Sequence, residues 1–269
     1  MDFNGQVILI TGASTGIGRC LAIDFAARGA TVVGCARSRQ RLAVTFKDVS
    51  RASPPSIAIE CDIGDSEQVH AMISKVITEF GKIDILINNA GVGMRNPFVE
   101  MPIEAIEQIM RTNYLSTVYC THEALPSMIA RRSGRIVNIS SVSGKIGTPN
   151  MAAYVASKFA MNGFSESLYH ELKPLGIHIT VVCPGPVKTE FNKAFADRPP
   201  KSPRALIMSP EAVSTAVIKA IEAKRFEIVL PRLLAIVCWV KRMTPNVFRA
   251  VSHRAFQSRA VALKKNPAA

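Results

Sequence analysis

The stretch "QVILITGASTGIG", residues 6–18, places a short apolar run directly before a glycine-rich loop. The run is typical of a buried β-strand, and the residues after the loop have the apolar spacing of a helix. Gly12 suits a tight turn, and Gly16 and Gly18 allow backbone and helix to approach closely. A helix N-terminus placed there attracts a pyrophosphate through its free N–H groups and its dipole. Taken alone, the loop is weak evidence, because a structural turn is the alternative and its spacing differs from GxGxxG.

The remainder of the chain repeats the alternation of strand and helix. Further strands are predicted at 30–36, 56–62, 83–89, 134–140, 177–183 and 226–230, and helices at 17–28, 38–48, 66–80, 103–131, 152–173 and 210–223. The strands are apolar almost throughout, as expected for parallel strands that are covered on both faces. The pattern predicts a Rossmann-type doubly wound α/β fold, with a seven-stranded parallel sheet between two helical layers. In such folds, ligands bind beyond the carboxyl ends of the strands.

The chain of 269 residues is long enough to bury one large core. We predict a single dinucleotide-binding and catalytic domain over 1–231. Within it, the irregular segment 185–208 contains four prolines and reads as a flap over a site. A helical extension with apolar and basic residues is predicted over 232–269.

The distribution of charges, cysteines and histidines bears on which partners, compartment and metals the protein is expected to have. Of the net charge of +13, most lies in residues 224–269, which hold ten Lys or Arg and one Glu. Because the charge is concentrated in this terminal segment, we predict no nucleic-acid partner for the domain. The six cysteines form no CxxC pair, and no secretory signal precedes Val7, so a reduced, cytoplasmic protein is expected. The five histidines form no spaced cluster, which predicts no metal site.

The end of the second strand bears on cofactor choice. An acidic residue at this position binds the ribose 2′-hydroxyl of NAD, whereas a basic residue accommodates the 2′-phosphate of NADP. The sequence here is "GCARSRQR", residues 34–41, with Arg37 and no acid before Asp48. Ser14 and Ser38 are placed to add hydrogen bonds. The prediction is NADP(H), and the alternative is that Arg37 and Arg39 only begin a solvated helix.

The stretch "AAYVASKFAMNGFSESL", residues 152–168, places Tyr154 and Lys158 one helical turn apart. An ammonium near a phenol lowers its pKa, here toward neutrality, which suits a general acid or base. Ser141, at the end of "NISSVSG", is placed to donate a second hydrogen bond to the same substrate oxygen. The alternative is a packed phenol beside a lysine that extends its ammonium to solvent.

Several ordered motifs together resemble the short-chain dehydrogenase/reductase family over roughly residues 5–230. They are TGxxxGIG at 11–18, NNAG at 88–91, Asn113 in "RTNYLS", Ser141 thirteen residues before Tyr154, YxxxK at 154–158 and "PGPVKT" at 184–189. The resemblance implies that Tyr154 is the catalytic acid/base, that Ser141 polarises the carbonyl, and that Asn113 keeps a proton-relay water near Lys158. It also implies that Lys158 lowers the pKa of Tyr154 and holds the nicotinamide ribose.

The same resemblance completes the predicted cofactor site. It implies that Asp62 and Ile63 border the adenine, that residues 89–91 line the cofactor, and that three residues after the sixth strand hold the nicotinamide end. With the glycine loop, the predicted cofactor-binding residues are Gly12, Ser14, Thr15, Gly16, Ile17, Gly18, Arg37, Ser38, Asp62, Ile63, Asn89, Ala90, Gly91, Tyr154, Lys158, Pro184, Val187 and Thr189.

Two further features concern partners. The helix of Tyr154 carries a stripe of small residues, Ala156, Ala160, Gly163 and Ser167. In the family this helix commonly joins that of another subunit, which predicts a homodimer or homotetramer, and the alternative is packing within one subunit. The flap supplies an apolar lid for a lipophilic substrate, through Phe191, Phe195, Leu206, Ile207 and Met208.

The extension begins with eight apolar residues, 233–240, which are too few to span a bilayer. Apolar and basic residues alternate irregularly after residue 240. Trp239 is a residue type that commonly lies at the level of the lipid headgroups in a membrane interface. Three roles remain open for 232–269: peripheral contact with a membrane surface, a cover for the pocket or a subunit partner, and a disordered basic tail.

We therefore predict an NADP(H)-dependent oxidoreductase that transfers hydride between nicotinamide and a carbonyl or alcohol, with a steroid, retinoid or keto-lipid as substrate. The alternative is a nonenzymatic NADP(H)-sensing or scaffold protein on the same fold. The presence of Asn113, Ser141, Tyr154 and Lys158 together argues against it, because binding alone does not require all four.

Overall fold

In residues 2–53, 55–191 and 203–260, which the computed structural model describes, seven strands pair in parallel to form one sheet. They are β1 (Val7–Thr11), β2 (Thr31–Ala36), β3 (Ile57–Glu60), β4 (Ile85–Asn88), β5 (Gly134–Ile139), β6 (Ile177–Pro184) and β7 (Glu227–Leu230). Their order in the sheet is β3-β2-β1-β4-β5-β6-β7. The chain therefore winds outward in both directions from β1 and β4, and the predicted doubly wound α/β fold is confirmed.

Helices connect the strands. They are α1 (Gly16–Ala26), α2 (Arg39–Ala52), α3 (Ser66–Phe80), α4 (Ile103–Met110), α5 (Ser116–Ala130), α6 (Ala152–Leu172), α7 (Pro210–Glu222), α8 (Arg232–Met243) and α9 (Pro245–Ala260). The last two helices follow β7, while the division of the chain at residue 231 stays a prediction. Within the described ranges, no helix has the length and apolar character needed to cross a membrane.

Apolar residues cover both faces of the sheet, which explains the continuous apolar runs in the strands. In β1, Ile8 and Ile10 join a core that includes Phe25 of α1, while Leu9 joins a second core that includes Met72 of α3. All five are buried. Where helices cover both faces, as they do around β1, a strand needs no alternation of polar and apolar residues.

The helical stretch predicted over 103–131 is confirmed, but it is not α-helical throughout. A π-helical turn, Arg111–Leu115, separates α4 from α5, and the N–H of Ser116 bonds to the carbonyl of Arg111. The side chain of Asn113 instead holds a neighbouring loop by donating to the carbonyl of Val92 and accepting from its N–H, at 2.9 and 2.8 Å. Such a turn is a common feature of functional sites, because it redirects one residue of a helix.

Candidate active site

The glycine loop after β1 leaves no room for side chains at two of its positions. Gly12 has a φ of +67°, and a Cβ there would lie 2.8 Å from Cα of Ala90. A Cβ on Gly18 would lie 2.3 Å from the carbonyl oxygen of Gly12. Glycine at both positions thus allows the loop, the start of α1 and the segment after β4 to share one narrow space.

The N-terminus of α1 has the features of an anion site. Thr15 occupies the N-cap position without a side-chain hydrogen bond to the first turn. The N–H groups of that turn therefore stay available to a ligand, and the helix dipole adds to their attraction for a phosphate. This cradle fits the pyrophosphate of a dinucleotide, in agreement with the predicted role of the loop.

The segment after β4 is hydrogen-bonded to the glycine loop. Nδ2 of Asn89 donates to the carbonyls of Thr11 and Gly12 at 2.9 and 3.2 Å. In return, Oγ1 of Thr11 accepts from the backbone N–H groups of Asn89 and Ala90 at 3.0 and 3.1 Å. These four bonds hold Asn89 and Ala90 against the loop, at the point where the winding of the sheet reverses.

The loops after β1 and β2 are also joined. The N–H of Ala13 donates to the carbonyl of Cys35 at 3.1 Å, and Oγ1 of Thr45 in α2 donates to the carbonyl of Ser14 at 3.2 Å. Arg37 follows β2 with an exposed side chain. Ser38 caps α2 by accepting from the N–H of Arg41 at 3.3 Å. Arg37 and Ser38 thus border the glycine loop on the side predicted for the adenosine.

Asp62 and Ile63 extend this edge beyond β3. The N–H of Cys61 donates to the carbonyl of Ala36 at 3.2 Å, which places the next two residues beside the end of β2. Oδ1 of Asp62 accepts from the N–H of Gly64 at 2.9 Å, and the side chain of Ile63 is buried. The structure therefore brings both residues to the predicted adenine side.

The candidate catalytic residues meet where α6 crosses the ends of β5 and β6. Nζ of Lys158 lies 5.9 Å from the ring centroid of Tyr154 and donates to the carbonyl of Ile139 at 2.9 Å. The hydroxyl of Ser141 forms a hydrogen bond with the phenol of Tyr154 and donates to the carbonyl of Pro184 at 3.4 Å. A phenol, a hydroxyl and an ammonium thus occupy one buried site.

The expected pKa of Tyr154 near neutrality is not what this arrangement produces. Burial raises the pKa of Tyr154 to about 12, although the hydrogen bond with Ser141 acts to lower it. Burial also lowers the pKa of Lys158 to about 8. Both shifts have the same cause, since removing water from a side chain disfavours its charged form. Spacing along the helix predicted that the two groups are near each other but could not reveal this desolvation.

Asn113 lies in the π-helical turn, fully buried, on the opposite side of this site. Besides its bonds to Val92, its Nδ2 donates to Oγ of Ser157 at 3.0 Å. A Cβ on Gly91 would lie 3.3 Å from Oδ1 of Asn113 and 3.8 Å from Nζ of Lys158. Asn113 and Lys158 therefore flank the same loop residue, as their predicted joint role requires.

The segment after β6 lies on the side that is predicted to hold the nicotinamide. Val187 is buried and bridges to Met208, and the N–H of Lys188 donates to the carbonyl of Met208 at 2.9 Å. A Cβ on Gly16 would lie 3.1 Å from Cγ2 of Thr189, so this residue reaches the glycine loop. The two ends of the predicted flap are thereby paired, while Phe195 lies outside the described residues.

Sequence reasoning missed two side chains that support the site. Thr11 provides the hydroxyl that accepts from both N–H groups of the segment after β4. Ser157 donates to the carbonyl of Tyr154 at 2.8 Å and accepts from Asn113. Two signals in the sequence could have found them. Thr11 is a polar residue at the end of a buried strand, and Ser157 is a polar residue between Tyr154 and Lys158 on one helix.

Fold and site together define a dinucleotide-binding α/β protein with a half-buried serine beside a buried tyrosine and lysine at the carboxyl edge of its sheet. Residues 6–199 match the family described as short chain dehydrogenase. This chain belongs to the short-chain dehydrogenase/reductase family, whose members are oxidoreductases that bind a nicotinamide cofactor.

Relatives and solved structures agree with this assignment. The chain is 38% identical over 226 residues to the ketoacyl reductase HetN of Nostoc sp., covering 84% of this chain and 78% of that protein. It is 36% identical over 190 residues to the 3-oxoacyl-[acyl-carrier-protein] reductase FabG of Staphylococcus aureus, covering 70% of this chain and 77% of that protein. A crystal structure of a short chain dehydrogenase/reductase from Burkholderia phymatum in complex with NAD matches all of this chain and 98% of its own, with a TM-score of 0.82 and 25% identity.

Proposed function

We propose that this protein is an NADP(H)-dependent oxidoreductase that reduces the carbonyl of a lipophilic substrate to an alcohol. The observation that carries the proposal is the hydrogen bond between Ser141 and Tyr154 beside the buried ammonium of Lys158, next to a glycine loop open to an anion. The names of HetN and FabG describe reductases of ketoacyl groups, which supports a carbonyl as the reacting group.

The site residues have distinct roles in this proposal. The cofactor supplies a hydride to the carbonyl carbon when it is bound along the loops after β1, β2 and β4. Tyr154 donates its phenolic proton to the carbonyl oxygen, so that the product is a neutral alcohol. Ser141 donates a second hydrogen bond to that oxygen as negative charge develops. Lys158 favours the resulting phenolate, and Asn113 keeps the loop at residues 91–92 in place.

The pKa of Tyr154 supports reduction as the favoured direction. With a pKa of about 12, the phenol is protonated at neutral pH and holds the proton that the substrate oxygen needs. An alkoxide is a stronger base than a phenolate, so the proton transfer is favourable.

Arg37 supports NADP(H) as the cofactor, because it provides a cation at the end of β2 where an acid would select NAD. We expect Arg37→Ala to raise the Kd of NADPH roughly 10- to 100-fold, the value of one charge-assisted hydrogen bond of about 1.5–3 kcal/mol. The Kd of NADH should change little, since NADH lacks the 2′-phosphate. Titration of both cofactors, followed by nicotinamide fluorescence, measures this selectivity.

Arg39→Ala is the matched control, because this exposed arginine begins α2 two residues further on. This substitution should leave the preference for NADPH within about twofold of that of the wild type. The reason is that an exposed charge without a direct contact to the cofactor contributes little to binding. A wild-type protein with a higher kcat/KM for NADH would contradict the assignment of NADP(H).

Apolar walls around the phenol support a lipophilic substrate. The ring of Phe191 lies 5.8 Å from that of Tyr154, and Met151 and Val155 complete the cluster. A pocket selects its ligand through such walls together with a few polar groups. The polar groups here are Ser141 and Tyr154, which suit one carbonyl on an otherwise apolar molecule.

The proposed function is tested by NADPH consumption with a panel of long-chain keto-lipids, steroids, retinal and small aldehydes. Turnover should be fastest with a lipophilic carbonyl and absent without any carbonyl. If NADPH binds but no member of the panel is reduced, the nonenzymatic sensing role is the better description.

Exposure of the small-residue stripe supports a homodimer or homotetramer. Ala156, Gly163 and Ser167 are exposed on α6, and a Cβ on Gly163 would meet no atom within 4 Å. Among the described residues, nothing covers these three positions, and their small side chains would allow a second helix to come close. We also propose peripheral membrane contact through 232–269.

A further inference from the structure

Helix α8 has an inner face that is attached to the walls of the candidate active site. A Cβ on Gly185, directly after β6, would come within 2.5 Å of Cδ1 of Leu234. Nζ of Lys241 donates to the carbonyl of Lys145, in the loop that follows Ser141, and lies 5.1 Å from the ring centroid of Phe159. Helix α8 is therefore attached near both of its ends to the segments that follow β5 and β6, which adjoin the candidate active site.

The opposite face of α8, together with α9, is apolar and exposed. We define this outer face as Leu233, Ile236, Trp239, Val240, Met243, Val247 and Val251, whose exposed fractions range from 40% to 63%. These seven are half of the fourteen large apolar side chains that are exposed in the described part of the chain. A surface helix normally turns polar residues to solvent. A contiguous apolar face of this size therefore marks an interaction surface.

The charges around the outer face indicate what it contacts. No Asp or Glu follows Glu227 in the sequence, whereas eight Lys or Arg do. Arg232, Arg242, Arg249 and Arg254 are exposed beside the apolar residues. A second copy of the same face would bring only further cations, which repel each other. An anionic phospholipid surface satisfies both properties, because it offers acyl chains to the apolar residues and phosphates to the arginines.

We propose that α8 and α9 bind flat to an anionic phospholipid bilayer through the outer face, with the candidate active site held at the lipid surface. With 12 and 16 residues, the helices are about 18 and 24 Å long, shorter than the hydrocarbon core of about 30 Å. They therefore lie in the interface and do not span it. A lipophilic carbonyl would then reach Tyr154 from the bilayer, a consequence that rests on the proposed function.

Trp239 provides a direct test, because it is the single tryptophan of the chain and lies on the outer face. The full-length protein is mixed with phosphatidylcholine vesicles that contain phosphatidylglycerol. We expect it to sediment with them, and we expect the emission of Trp239 to shift to shorter wavelength and to be quenched by brominated acyl chains. Vesicles of phosphatidylcholine alone should bind less, and added salt should weaken binding to the anionic vesicles.

Ile236→Asp places a charge in the outer face and should lower the vesicle partition coefficient more than tenfold. Val44→Asp is the matched control, because Val44 is exposed to nearly the same extent, 56% against 58%, but lies on α2. It should bind vesicles as the wild type does. Circular dichroism and NADPH binding establish that both variants are folded.

Unchanged Trp239 emission with anionic vesicles, or equal binding of Ile236→Asp and the wild type, would overturn the proposal. If Ile236→Asp instead dissociates a dimer in sedimentation equilibrium while neither protein binds vesicles, the outer face is a subunit interface and the proposal is wrong. Vesicle binding is measured without enzymatic turnover. The proposal of membrane binding and the proposal of carbonyl reduction can therefore be refuted independently. A protein that binds vesicles but reduces no carbonyl would refute the proposed function alone.

Discussion

Tyr154→Phe should lower kcat for an accepted carbonyl by roughly 10²- to 10⁴-fold, the contribution of one positioned acid. The substitution removes only the phenolic oxygen, which is the proposed proton donor and the partner of Ser141. NADPH should still bind with a Kd within about threefold of the wild type, because the ring and its packing on Phe191 remain. Stopped-flow measurement of NADPH oxidation, with a parallel binding titration, separates the two effects.

The same helix offers a control for this prediction. Tyr169 and Lys173 repeat the four-residue spacing of Tyr154 and Lys158, with Nζ of Lys173 donating to the phenolic oxygen at 2.8 Å. This second pair lies apart from Ser141, and Lys173 is exposed. Tyr169→Phe should therefore retain full turnover. Wild-type turnover in Tyr154→Phe would exclude the phenol as the acid and with it the proposed mechanism.

Lys158→Met should reduce kcat roughly a hundredfold. At the observed 5.9 Å from the ring centroid, one positive charge favours a phenolate by about 3 kcal/mol at an effective dielectric constant near 20. The methionine keeps most of the volume of the lysine side chain but has no charge. Single-turnover rates with saturating NADPH measure the loss independently of cofactor binding.

The same substitution should change how stability depends on pH. Since burial lowers the pKa of Lys158 from 10.5 to about 8, the unfolded chain binds one more proton than the folded chain between these values. The contribution of Lys158 to the free energy of unfolding of the wild type therefore increases as pH rises through that window. Below pH 8, the buried lysine is charged and destabilises the folded protein most. Relative to Lys158→Met, the wild type should gain about 2 kcal/mol from pH 7.5 to 9.5.

Urea unfolding of both proteins at the two pH values measures this difference. Other groups that titrate in this range, such as the buried thiols with raised pKa values, are common to both proteins and cancel. Lys173→Met is the control, because it removes an exposed lysine and leaves the buried site intact. An equal pH dependence for Lys158→Met and the wild type would mean that Lys158 keeps an ordinary pKa in the folded protein.

Local patterns were sufficient for the fold because each is produced by short-range physics. Strands such as β1 are apolar at every position because helices cover both faces of the sheet. The helical stretch 103–131 was predicted, but the π-helical turn within it was not, because a periodic pattern carries no trace of the hydrogen bonds from Asn113 to a distant loop. An interruption of this kind is decided by tertiary contacts.

By itself, the sequence determined the alternation of strands and helices that indicates a doubly wound sheet, the glycine loop and the four-residue spacing of Tyr154 and Lys158, because apolar periodicity, backbone freedom and helical rise depend on neighbouring residues. Only the tertiary structure decided the protonation of the pair, since desolvation depends on every element that covers a side chain. It also decided which face of α8 meets the protein and which meets solvent. The contact between Leu234 and Gly185 joins residues far apart in the chain, and no pattern within α8 specifies it.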